Sequence, residues 1–119
     1  MKLLLTEHTK KLIEQGRATS AAQFEGQDEP DHMPVVKLFT PDANCTWLIS
    51  ELDPDDPDLA FGLCDLGFGC PELGSVRISE IESVRGAFGL PAERDRHFHP
   101  ERSLSAYADL ARKHGRIVA

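Results

Sequence analysis

The sequence predicts an α+β fold: a small antiparallel sheet of about four strands in a meander, with N-terminal, short middle and C-terminal helices packed on one face or end of it. Three observations lead there. Residues 35–79 form a succession of short β-prone runs split by Pro, Asp, Asn and Gly, and short links of this kind join antiparallel neighbours. The segments before and after lose the two-residue alternation and take up helical spacing. A chain of 119 residues holds one domain, residues 1–119, with a core of modest size.

The elements follow in order. Leu5, Leu12 and Ile13 sit near helical spacing, Thr6 can cap, Glu7 suits the first turn and Gly16 offers a stop, so a short first helix is expected over residues 6–15. Residues 17–34, with Gly26, Pro30 and Pro34, carry no sustained period and read as a long irregular connection. Then come "VVKLF" (35–39), "CTWLISEL" (45–52), "LAFGLCDLGF" (59–68) and "LGSVRIS" (73–79), split by "TPDAN", "DPDDPD" and "GCPE". Trp47 alternates with Cys45 and Ile49 on one strand face and reads as a core aromatic. In "SEIE", Ser79 and Glu82 make a capping box for a helix of little more than one turn, stopped by Gly86. Ser103 caps the last helix, where Leu104, Tyr107, Ala108 and Ala111 share a face and Arg112, Lys113 and His114 precede Gly115.

The composition, 40% hydrophobic and 28% charged, is that of a soluble globular protein. The Leu-rich start turns polar at Thr6, too soon for a signal peptide or a spanning helix, so a cytoplasmic protein without a membrane partner is expected. Cys45, Cys64 and Cys70 cannot all pair and read as free thiols. The net charge of −7 is unevenly spread: residues 25–58 hold ten acids against Lys37, a net −9, whereas residues 85–116 carry +3. An acidic body disfavours direct nucleic-acid binding and favours a basic protein surface as partner, with Glu51, Asp53, Asp55, Asp56 and Asp58 as the candidate contact residues. Acidic loops also serve plain solubility. The sequence carries no signal of oligomeric state.

A search for chemistry narrows to one stretch. The acidic turn "DPDDPDLAFGLC" fails as a calcium loop, because Asp58 and Cys64 stand where an EF-hand needs Gly and Glu. Gly67, Gly69 and Gly74 lack both the spacing and the following helix of a dinucleotide fingerprint. Cys64, Cys70, His97 and His99 could complete a tetrahedral zinc site, although the thiols are not in a CxxC knuckle and Cys64 reads equally as a small hydrophobe. In "ERDRHFHP", an extended chain would align Glu93, Asp95, His97 and His99, which could hold a divalent metal or act as an acid–base pair. The simpler reading is a strap, with Arg94 and Asp95 bridging its neighbours and Leu90 and Phe98 anchoring it in the core. No GxSxG elbow is present, and no cofactor is called for.

The blocks "KLFTPDANCTWLISELD", "FGLCDLGFGCPELGSVRISEIESVRG" and "GLPAERDRHF" resemble the bacterial family called domain of unknown function 2958. The resemblance runs from the Leu-rich start to Phe98. It implies a small accessory protein of plasmids and other mobile elements, and it brings no catalytic residues. The combined expectation is a non-enzymatic acidic protein-interaction module, in its sharpest form an inhibitor of a host restriction or CRISPR complex. The alternative is a metal-dependent hydrolase or nuclease built on Glu93, Asp95, His97 and His99.

Overall fold

The computed structural model describes residues 3–119. The elements run α1 (Thr6–Phe24), β1 (Val36–Phe39), β2 (Thr46–Asp53), β3 (Asp56–Asp65), β4 (Glu72–Arg77), α2 (Ile78–Ser83), β5 (Glu93–Arg94) and α3 (Leu104–His114). The sheet is antiparallel, in the order β4-β3-β2-β1-β5. The four runs read from the sequence thus form the expected meander. A fifth strand of two residues, unforeseen, pairs Arg94 with Leu38 and Glu93 with Phe39.

Helices cover both faces of the central strands, while β4 has no buried residue, and this corrects the expectation of helices on one face or end. Val36, Leu38, Trp47, Ile49 and Ala60 join Leu12 of α1 and Ile78 and Ile81 of α2 in one core. Leu48 and Leu63, pointing the other way from the same strands, join Leu104, Tyr107, Ala108 and Ala111 of α3 in a second. The central strand β2 therefore reads as a continuous buried run from Trp47 to Ser50 instead of alternating.

The first helix does not stop at Gly16 but runs on to Phe24, so residues 17–24 of the expected irregular connection are helical. Gly16 is needed for approach: a Cβ there would stand 1.9 Å from the Leu52 backbone oxygen. The pairing of β1 with β2 ends at Val36 and Ile49, the ladder of β2 with β3 is irregular between Ile49 and Glu51, and α1 covers the stretch of β2 beyond. There the Gln15 side-chain amide donates to the Ser50 carbonyl. Thr6 is not the cap but the first helical residue; Leu5 is the capping position, and its N–H is accepted by His8 Nδ1 at 3.2 Å.

The α2 cap also differs from expectation. Arg77 is the capping position and Glu80 accepts its N–H at 3.2 Å. Ser79 instead meets Asp58, its hydroxyl donating at 2.7 Å and its N–H at 2.9 Å. The third helix is as read from sequence, with Ser103 Oγ accepting from the Ala106 N–H and Gly115 left-handed at φ 68°.

Candidate functional site

The strongest candidate is a cleft of about 260 Å³ at the end of the molecule where α1 finishes and the β2–β3 hairpin turns. Glu29, Glu51 and Asp53 supply its charge, and Thr19, Gln23 and Phe61 much of the rest of its wall. Each is placed by a feature already described. Thr19 and Gln23 lie on the part of α1 beyond Gly16, and Glu51 follows the irregularity in β2. Asp53 closes the hairpin opposite Asp56, and its Oδ1 accepts the Asp55 N–H at 2.9 Å.

Glu51 is the unusual group. Burial raises its carboxyl above the ordinary value, against the opposing effects of the Thr19 hydrogen bond and the nearby His32. Thr19 Oγ1 donates to Glu51 Oε1 at 3.1 Å and lies 3.1 Å from His32 Nε2. When Nε2 carries the proton, imidazole, hydroxyl and carboxylate form one chain ending in the cleft. His32 is held in turn from α3, because its carbonyl accepts the Leu104 N–H at 2.8 Å. Glu29 accepts from the Gln23 amide at 3.1 Å.

The acidic residues singled out by sequence are thereby divided. Glu51 and Asp53 line the cleft, and Asp55 sits exposed at the hairpin tip. Asp56 and Asp58 are engaged elsewhere, with Arg77 Nη1 at 3.0 Å from Asp56 and 3.6 Å from Asp58. The Ser79 hydrogen bonds, followed by Arg77, hold the Asp58 carboxyl below its ordinary value. Glu29 was missed by sequence reasoning. It lies in a segment without periodicity, and nothing local ties that segment to β2.

The second sequence candidate is not drawn into one row. Strand β5 ends at Arg94, and Asp95 Oδ1 accepts the His97 N–H at 2.9 Å in a turn. Asp95 also pairs with Lys37 at 3.6 Å. Asp95, His97 and His99 line a separate hollow of about 430 Å³ with Tyr107 and Arg102, and Glu93 is not among its walls. Arg94 Nη1 donates to the Leu3 carbonyl at 2.6 Å, and Phe98 packs on the second core, as the strap reading expects. Leu90 does not anchor it, being 46% exposed.

The thiols are likewise apart. Cys64 is half-buried on β3 and its thiol is pushed up to about 11 by burial, whereas Cys70 is exposed in the β3–β4 connection. Among the described residues no three of His, Cys, Asp and Glu come together in a group that could hold a metal ion. Nor is any described helix long and apolar enough to cross a membrane.

Fold and site together define an α+β protein with a two-sided antiparallel sheet and an acidic cleft at one end. The model of the family described as protein of unknown function (DUF2958) matches residues 3–118, and the chain belongs to that family. No curated protein and no solved structure matches it.

Proposed function

We infer that this is a non-enzymatic, acidic protein-interaction module of a mobile element, acting in the cytoplasm on a basic surface of a host or mobile-element protein. Interference with a host restriction or CRISPR complex is its sharpest form. The observation that carries the reading is the convergence of Glu29, Glu51 and Asp53 on one cleft, with no basic side chain in its wall among the described residues. A cleft of that size suits a lysine or arginine side chain, which brings the missing countercharge and lays its aliphatic stem on Phe61. Glu51 and Asp53, which are part-buried, gain more from such a partner than the exposed Glu29, because water screens them less.

Capture of host proteins on the immobilised chain over a salt series tests this. The expected result is a partner released by salt and weakened when Glu29, Glu51 and Asp53 are changed together to Gln, Gln and Asn. At roughly 0.2–1 kcal/mol per pair, the loss is about three- to a hundredfold. Neutralising Asp56 and Asp58, already paired with Arg77, is expected to do less. Partner binding that survives neutralisation of all these residues would remove the acidic surface from consideration.

A further inference from the structure

Thr19 of α1 is 7% exposed, and its hydroxyl has three polar neighbours but one proton to give. Glu51 Oε1 and His32 Nε2 both stand 3.1 Å from Oγ1, and the Gln15 carbonyl, one turn back on the same helix, is farther at 3.3 Å. An ionised Glu51 can only accept, so the hydroxyl proton goes to Oε1 and His32 must donate from Nε2 to be bonded at all. An unprotonated Nε2 would meet only the lone pairs of Oγ1, which burial makes costly. Once Glu51 is a carboxylic acid the demand lapses. Oε1–H then donates to Oγ1, and the hydroxyl proton turns to Nε2 or to the Gln15 carbonyl.

The surroundings favour a proton that moves along this chain. Burial raises the Glu51 carboxyl, Thr19 and His32 oppose this, and Glu29 and Asp53 add to it. Beside His32 the Asp31 carboxylate is taken up by the Ser105 N–H and hydroxyl of α3, and the His32 carbonyl accepts the Leu104 N–H, so the imidazole is tethered to the first turn of that helix. We propose that Thr19 is a relay: when a cation in the cleft ionises Glu51, the proton passes through Oγ1 and is held on His32 Nε2. The bonds balance. Oε1–H breaks as a new Oγ1–H forms, the former Oγ1–H breaks as Nε2–H forms, and a ring already protonated at Nδ1 becomes an imidazolium. The protein keeps its proton count, and the charge leaves the cleft for the α3 side. That the cation is an ammonium or guanidinium rests on the function proposed above; the coupling of Glu51 to His32 does not.

Long-range proton–nitrogen NMR on the full chain reads the proton on each imidazole nitrogen, with His32→Gln telling this ring from the other histidines. In a pH titration the His32 Nε2 signal should show a step at the midpoint of the Glu51 carboxyl carbon, the ratio of Nε2–H to Nδ1–H rising at least about fivefold as Glu51 ionises. Glu51→Gln and Thr19→Val should each erase that step, and Thr19→Ser, which keeps the hydroxyl, should retain it. Should Thr19→Val fail to fold, Thr19→Ala removes the same group. A step that survives loss of the hydroxyl would reflect charge acting through space and overturn the relay, as would a wild-type His32 that holds no proton on Nε2 while Glu51 is ionised. Arginine amide added below the Glu51 midpoint should drive the same change in wild type but not in Thr19→Val. Arginine amide that ionises Glu51 without moving the His32 proton overturns the proposal. A pH step with no response to arginine amide supports the relay and overturns the cationic occupant of the cleft, so the two readings fail separately.

Discussion

Replacing Gly16 with Ala separates two explanations of one residue. A glycine inside a helix costs about 1 kcal/mol relative to alanine, so helix propensity alone makes Gly16→Ala stabilising. The packing gives the opposite sign. The new Cβ would stand 1.9 Å from the Leu52 oxygen and 3.0 Å from its carbonyl carbon, both backbone atoms that no rotamer change can move. Restoring ordinary contact needs a displacement of about 1.5 Å between α1 and β2. That shift strains the Gln15 bond to Ser50 and the Thr19 bond to Glu51, each worth about 1 kcal/mol, on top of roughly 1–3 kcal/mol for overpacking. The net expectation is a loss of about 2–4 kcal/mol. With an unfolding entropy near 2.1 cal/mol/K per residue, each kcal/mol lowers the midpoint of this chain by about 4 °C, giving a fall of about 8–16 °C. Thermal unfolding followed by circular dichroism reads this directly. A midpoint equal to or above wild type would refute the reasoning and return Gly16 to the role of a helix stop.

Three further outcomes are expected. Because burial raises the Glu51 carboxyl, its favourable contribution is present at low pH and lost as pH rises through the raised value. Glu51→Gln should therefore raise the melting temperature at pH 7, with the gain fading below the ordinary value of 4.5; a gain equal at all pH would remove burial as the cause. Iodoacetamide at mildly alkaline pH should label Cys70 well before Cys64, whose thiol is pushed up to about 11 by burial; fragment-ion mass spectrometry of the tryptic peptide 38–77, which carries both thiols, reads the order, and equal labelling would refute the burial of Cys64. Asp42→Ala strips the Phe88 and Leu90 N–H groups of their acceptor and should cost about 1.5–3 kcal/mol in a denaturant titration, a loss below about 0.5 kcal/mol showing that water replaces the carboxylate.

The sequence was most informative where the determining chemistry is local. The span from Ser103 to Gly115 carries its cap, its apolar face, its basic last turn and its left-handed stop within thirteen positions, and α3 forms as read. The meander was legible for the same reason, since each link is short and rich in turn-forming residues. Trp47 is 2% exposed, as its alternation with Ile49 implied. The family, too, was readable from the motif blocks alone.

What failed did so where one residue answers to a distant neighbour. Gly16 has the local signature of a helix end, and only the Leu52 backbone shows why a glycine is needed in mid-helix. Two residues at Glu93 and Arg94 are too few to show a period, so β5 exists only through β1. The acidic segment looked uniform because charge counts ignore partners; Arg77 and Ser79 take Asp56 and Asp58, and Glu29 comes in beside Glu51 from an aperiodic connection. Thus the sequence by itself determined the strand runs, the last helix, the charge asymmetry and the family. Only the tertiary structure decided which carboxylates share a cleft, which face each helix covers and where Phe88 points, because those depend on contacts between residues far apart in the chain.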